Sequence, residues 1–259
     1  MTIPPVAIED PSAWAQLPAL KELCAADEVL IVSDFDGTLA QFSTDPDCVP
    51  VNRRAVDALV RLAQLPATKV VVLSGRDYAG LKRVSGLGAP VELVGSHGAE
   101  SAEGFPPLKP AQQRLLDEVG VRLRQLCASY PGAWVEDKPL HRVLHMRAVE
   151  DAAAAAQLAA AARQVGAGLH LGEGKCVLEF SATAITKGTW VEEHRGGRRV
   201  LYVGDDVTDE NALRVLAPGD VGVKVGAGDS VADFRVPDVD AVAELLHACL
   251  SMRAAWCAA

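Results

Sequence analysis

Short unbroken apolar runs recur along the chain, and each ends in polar residues. Val29–Val32 runs into Ser33-Asp34, Lys69-Val70-Val71-Val72-Leu73 into Ser74-Gly75-Arg76-Asp77, and Val91–Val94 into Gly95-Ser96-His97-Gly98. Arg199-Val200-Leu201-Tyr202-Val203 runs into Gly204-Asp205-Asp206, and Val221-Gly222-Val223-Lys224-Val225 into Gly226-Ala227-Gly228. Runs of this length, rich in β-branched residues, read as strands buried on both faces. Between them lie helical patterns: Arg53–Leu65, with Val56, Leu59, Val60 and Ala63 on one face, then Glu210–Leu216 and Ala241–Leu250. The alternation predicts a doubly wound, Rossmann-like parallel α/β sheet, with its ligand crevice outside the strands' carboxyl ends. All five polar tags fall there.

The middle of the chain breaks this rhythm. Pro106-Pro107-Leu108-Lys109-Pro110 reads as a hinge, followed by a helix from about Ala111 to Tyr130. Two alternating segments come next, Trp134–Lys138 and His141–Arg147. An alanine-rich helix over Asp151–Gln164, ended by Gly166 and Gly168, precedes short strands at His170-Leu171 and Cys176–Phe180. Helix-strand-strand, given twice, predicts a small α+β unit with an antiparallel sheet. It is inserted between the third and fourth tagged strands, with Ser181–Thr186 as the return hinge. The expected organisation is a core of residues 1–108 and 184–259 around an insertion of residues 109–183. Near the start, Trp14, Leu17, Leu20 and Leu23 are expected to pack on the core as one helix.

A length of 259 residues suffices for a large core, and 49% hydrophobic with 23% charged residues is a soluble globular composition. The net charge of -9 argues against nucleic acid as partner, though a divalent cation could still invert the field around a small phosphorylated ligand. Six scattered cysteines show neither CxxC pairs nor zinc spacing and read as reduced thiols. No secretory pattern opens the sequence, and no stretch approaches the ~18 apolar residues of a membrane span. A cytoplasmic location is expected.

The chemistry concentrates at the strand exits. Asp34-Phe35-Asp36-Gly37-Thr38 places two carboxylates two residues apart, on one side if strand geometry persists. Such a pair suits a nucleophile for phosphorus and an acid/base partner for the leaving group. Asp205, Asp206 and Asp209 add charge at another exit. At ~4 Å and an effective dielectric of 20, each like-charged pair costs ~4 kcal/mol, so the cluster calls for a cation, and all-oxygen donors suit Mg²⁺. Asp34, the Asp36 backbone carbonyl and Asp205 are the expected ligands, with Asp206 or Asp209 reached through water. Ser74 could donate to a phosphate oxygen, and Lys187, opening a helical stretch, could place an ammonium at the nucleophile.

The ordered set DxDGT, Ser74, Lys187 and GDDxxxD resembles the haloacid dehalogenase superfamily of phosphotransferases, from about Val29 to Leu246. The resemblance implies that Asp34 is phosphorylated, that Asp36 protonates the leaving alcohol and then activates water, and that an inserted cap decides the substrate. Thr38, Ser74 and Lys187 would hold phosphate. Within the superfamily the chain is most similar to the trehalose-6-phosphate phosphatases. Asp34-Phe35-Asp36-Gly37-Thr38-Leu39, Ser74-Gly75-Arg76, Gly95-Ser96-His97-Gly98-Ala99-Glu100 and Gly204-Asp205-Asp206-Val207-Thr208-Asp209-Glu210 carry that similarity in the core. Val135-Glu136-Asp137-Lys138, His145-Met146-Arg147 and Gly174-Lys175-Cys176-Val177-Leu178-Glu179 carry it in the cap.

It implies a sugar phosphate as the small-molecule partner, met by Asp34, Phe35, Asp36, Gly75, Arg76 and His97 in the core. Glu136, Lys138, Arg147, Lys175 and Glu179 would hold the disaccharide. Two-residue spacing puts Glu136 with Lys138, and Lys175 with Val177 and Glu179, on shared strand faces. Phe35 stands where Tyr is common, Pro139 where Gly is common and Asn211 where Asp is common; none of these removes a catalytic group. Three rival readings are another glycosyl phosphate (sucrose, glucosylglycerol or mannosylglycerate phosphate), a non-catalytic sugar-phosphate sensor, and a flavodoxin-like receiver. The acid/base carboxylate speaks against the second and the long insertion against the third.

Overall fold

The computed structural model describes residues 4–43, 45–174 and 176–258. The chain forms two compact units, one from Met1–Gly104 with Ile185–Ala259 and one from Phe105–Ala184. The first contains strands β1 (Val6–Ala7), β2 (Val29–Ser33), β3 (Thr68–Leu73) and β4 (Glu92–Val94). The second contains β5 (Trp134–Asp137), β6 (His141–His145), β7 (His170–Gly174) and β8 (Val177–Ser181). The first unit resumes with β9 (Arg199–Gly204), β10 (Val221–Val225) and β11 (Phe234–Val236).

All seven strands of the first unit pair in parallel, in the order β1-β11-β10-β9-β2-β3-β4. The two-residue side-chain period divides each central strand between two cores. Val29 and Ile31 of β2, Val70 and Val72 of β3, and Leu201 and Val203 of β9 pack on one face, with helices α1 (Pro18–Cys24), α2 (Arg53–Leu62), α3 (Tyr78–Ser85) and the long C-terminal helix. Leu30, Val32, Val71, Leu73, Val200 and Tyr202 pack on the other. Burying each aliphatic side chain contributes roughly 1.5–3 kcal/mol, and with both faces covered no residue of β2 is spared.

In the second unit, α4 (Pro110–Cys127) and α5 (Ala152–Val165) bury Val119, Leu123, Leu158 and Ala162 against Leu144, Leu178 and Phe180. Its sheet runs antiparallel in the order β5-β6-β8-β7. Back in the first unit, α6 (Lys187–His194) and α7 (Asp209–Arg214) cover the second face of the parallel sheet, and α8 (Val239–Cys257) is the C-terminal helix of the first face. Gly98, on the segment before the insertion, lies against Ile185 and Trp190 on the segment after it.

The expected parallel core and antiparallel insertion are both present, with local departures. The N-terminal helix is broken: Pro11–Gln16 is a 3-10 turn, and Leu17 is extended (φ -71, ψ 115) because Pro18 disfavours helical geometry at the residue before it. Helix α8 is longer than its apolar pattern suggests. The Asp238 side chain accepts from the Asp240 and Ala241 amides at one end, and near the other the buried Arg253 donates to Thr68 Oγ1 and to the carbonyls of Cys24, Ala26, Asp27, Pro66 and Ala67. No helix among the described residues is long and apolar enough to cross a membrane.

Candidate active site

Strand β2 delivers Asp34 at its exit, β9 delivers Asp205 at its own, and α6 begins with Lys187. The Asp34 amide donates to the Val203 carbonyl, so the β2–β9 pairing fixes the two exits side by side. Gly37 follows with φ +79, and a β-carbon there would collide with the Asp205 carboxylate, so this turn admits only glycine.

Lys187 is 2% exposed and sits between two carboxylates, its Nζ 2.7 Å from Asp34 Oδ1 and 2.7 Å from Asp209 Oδ1. Burial alone would lower its pKa, but the Asp209 and Asp34 charges outweigh burial and hold it above the ordinary lysine value. Asp209 is fully buried and nearly saturated. Its Oδ1 also accepts from Tyr202 Oη at 2.7 Å, and its Oδ2 accepts the Asp206 amide at 2.9 Å. Burial, then the Asp209 charge, push the Asp34 carboxyl well above the usual carboxylate range, with Lys187 pulling the other way. Asp205 is pushed up to about 6, first by burial and then by Asp209 and Asp206.

Oxygens of Asp34, Asp205 and Asp209 lie within 4.8 Å of one another, one Asp205 oxygen is buried without a hydrogen-bond partner among the described residues, and all donors are hard oxygens. This excess of negative charge is the environment a divalent cation relieves, so the residues fit Mg²⁺. The side chains of Asp36 and Asp206 stand outside that trio.

Asp36 is instead held by Arg76, whose Nε and Nη2 each lie 2.6 Å from one of its oxygens. Arg76 also reaches the Pro46 carbonyl at 2.5 Å and lies 5.7 Å from the centre of the Phe35 ring. The Ser74 hydroxyl accepts the Arg76 amide at 3.1 Å, and Thr38 Oγ1 is buried without a partner among the described residues. A β-carbon on Gly75 would meet the His97 ring at 2.5 Å, which joins those two segments closely. Glu100 secures them by accepting the Tyr78 amide at 2.8 Å and the Ser96 hydroxyl at 3.1 Å.

The remaining predicted residues lie in the inserted unit. Glu136 and Glu179 both stand opposite Val143 in the sheet register and share the face away from α4 and α5. His145 Nε2 donates to Glu136 Oε2 at 3.0 Å, which holds the Glu136 carboxyl below its ordinary range. His141 lies 3.6 Å from Glu179. Lys138 follows β5 in a tight turn, its amide bonded to the His141 carbonyl at 3.0 Å, and Arg147 is exposed beyond β6. Lys175 lies outside the described residues.

Two groups escaped the sequence reading. Tyr202 looks like a core residue of β9, and only the structure shows its hydroxyl on Asp209. Lys224 is buried in β10 with its ammonium on the Asp205 carbonyl. A lysine inside an otherwise apolar strand was the available signal.

The sequence profile of the trehalose-phosphatase family matches residues 32–240. Trehalose-6-phosphate phosphatase of Escherichia coli (strain K12) is 32% identical over 234 residues, covering 85% of this chain and 87% of that protein. Trehalose-phosphate phosphatase of Mycobacterium marinum is 34% identical over 210 residues, covering 74% of this chain and 52% of that one, so the chain spans about half the length of this relative. The C. albicans trehalose-6-phosphate phosphatase C-terminal domain matches in structure with a TM-score of 0.75 over 96% of this chain and 99% of its own, and at 20% identity it shows the fold alone. The Aspergillus fumigatus trehalose-6-phosphate phosphatase matches with a TM-score of 0.69 at 25% identity, over 95% and 99%. With the profile running from the exit of β2 to the start of α8, this chain belongs to the trehalose-phosphatase family.

Proposed function

We propose that this chain is a phosphomonoesterase that releases trehalose and inorganic phosphate from trehalose 6-phosphate. The observation that carries the reading is the buried Lys187 ammonium, held between Asp34 and Asp209 at the exit of β2, in a chain of this family. An ammonium there orients Asp34 and faces the oxygens of a phosphoryl group approaching it.

In the first half of the reaction an Asp34 oxygen attacks phosphorus and the bond from phosphorus to the sugar oxygen breaks. Asp36 gives its proton to that oxygen, and trehalose leaves with phosphate esterified to Asp34. In the second half Asp36, now a carboxylate, takes a proton from water as the water oxygen attacks phosphorus. The Asp34–phosphorus bond breaks and inorganic phosphate departs. Thr38 Oγ1, buried without a partner among the described residues, and Ser74 would donate to phosphate oxygens. Asp34, Asp205 and the Asp36 backbone carbonyl would hold Mg²⁺, with Asp206 or Asp209 supporting it through water. Bound there, the ion supplies positive charge against phosphate and the clustered carboxylates.

Glu136, Lys138, Arg147, Lys175 and Glu179 would hold the disaccharide. The same reading keeps the protein in the cytoplasm, where its free cysteines stay reduced. A phosphate-release panel tests it: trehalose 6-phosphate, sucrose 6-phosphate, glucosylglycerol phosphate and glucose 6-phosphate, each with Mg²⁺ and with chelator. Trehalose 6-phosphate is expected to lead by kcat/KM and to fall to background with chelator. A different leading sugar overturns the substrate, and chelator-resistant turnover overturns the metal.

A further inference from the structure

One large aromatic of the inserted unit lies outside that unit's hydrophobic core. Trp134 opens β5 and is 53% exposed. It stands opposite His145 in the β5–β6 register, and the two rings stack with centroids 4.0 Å apart and planes 7° from parallel. His145 is itself fixed, because its Nε2 donates to Glu136 at 3.0 Å. Carboxylate, imidazole and indole thus form a chain in which each member sets the orientation of the next.

An exposed tryptophan of a soluble protein normally folds down over apolar neighbours. Here it is held instead against a polar, hydrogen-bonded ring, with more than half its surface open. By the alternation of β5 it shares a face with Glu136 and, across the sheet, with Glu179. That face therefore offers a rigid apolar plane next to carboxylate acceptors. A pyranose ring has the matching chemistry, with a C–H-lined face that packs on an aromatic plane and an equatorial rim of hydroxyls that donate to carboxylates. Because the indole is already oriented, little side-chain entropy is lost when a ring settles on it.

We propose that Trp134, backed by His145, is the platform for one sugar ring of the substrate and a specificity-determining residue of this chain. The proposal rests on the trehalose 6-phosphate reading above and adds to it a residue that recognises the ring's apolar face rather than its hydroxyls.

The test compares full-length wild type, Trp134→Ala and Trp134→Phe on trehalose 6-phosphate and on glycerol 2-phosphate, which lacks a ring. Trp134→Ala is expected to raise KM for trehalose 6-phosphate about tenfold with kcat within about twofold. The ratio of kcat/KM between the two esters should fall by the same factor, and Trp134→Phe should recover most of it. In a parallel titration, trehalose should shift the indole emission of wild type, and Trp134→Phe should lose that shift. If wild type releases phosphate from trehalose 6-phosphate but Trp134→Ala leaves the ratio unchanged, the platform falls and the parent reading stands. If wild type does not hydrolyse trehalose 6-phosphate, both fall. An equal loss on both esters also overturns the platform, since it would mark a general structural defect.

Discussion

Arg76 lays Nε and Nη2 against the two oxygens of Asp36, at 2.6 Å each, and so holds that carboxylate by a fork rather than a single bond. Both Asp36 oxygens accept in this fork, so the fork has to open before Asp36 can reach a leaving group or a water. Arg76→Lys keeps the charge and loses the fork. We expect kcat to fall about 10²-fold on any phosphate ester, the scale of a misplaced catalytic group, with KM little changed. A rise in KM at constant kcat would instead assign Arg76 to the phosphate.

Asp34→Asn removes the proposed nucleophile while relieving repulsion in a buried acidic cluster. Turnover is expected to drop by at least ~10⁴-fold, with no loss of thermal stability. Steady-state phosphate release and a melting curve measured on one sample check both halves. Substantial residual turnover in a folded variant would sink the role.

Lys187→Met strips the cation from a buried group of carboxylates. Breaking a buried pair in this way costs about 3–5 kcal/mol, and activity should vanish with it. Urea unfolding in the presence of chelator measures the cost free of metal, and a loss below about 1 kcal/mol would contradict the central place given to this contact.

These residues divide into those visible in the sequence and those hidden from it. Asp34, Ser74, Asp205 and the strands bearing them were legible because a strand buried on both faces has to be apolar throughout and has to end in polar residues. Helix α3 was missed although its signals were present, with Asp77 capping the Gly80 amide and Gly86 closing it at φ +68. Those signals mark ends, while the short stretch between carries only a weak apolar stripe. Strands β1 and β11, of two and three residues, are too short to show a period. What no pattern could disclose was pairing across distance: Arg76 on Asp36, Tyr202 on Asp209 and Arg253 on the Cys24–Asp27 carbonyls. Such partners follow from topology, not from neighbours in sequence.

Glu136→Ala deletes an acceptor from the polar face of the inserted sheet and releases His145. The kcat/KM ratio of trehalose 6-phosphate over glycerol 2-phosphate should fall about tenfold or more, since a site built to bond hydroxyls discriminates strongly. Arg147→Ala should move the ratio in the same direction. Unchanged ratios for both variants would remove the sugar-holding role from this face.

Arg253→Met keeps the bulk of a buried side chain and leaves five carbonyls and one hydroxyl to find other partners. A destabilisation of about 3 kcal/mol is expected, with KM untouched. Equilibrium denaturation reads the first and initial rates the second.

The side-by-side pairing of β2 with β9 places Val29 opposite Arg199, with the whole inserted unit threaded between them. During synthesis the first half of the parallel sheet therefore emerges long before its central neighbour exists. Joining such distant segments carries an entropic penalty that grows with the length of slack chain between them. The insertion has its own core, and Gly98, ahead of it in the chain, touches Ile185, which follows it. Once it has folded by itself, that slack is reduced to a short span. The unit that would select the sugar would then also be the clamp that lets the parallel sheet close, and lesions that melt it should delay the pairing of β2 with β9.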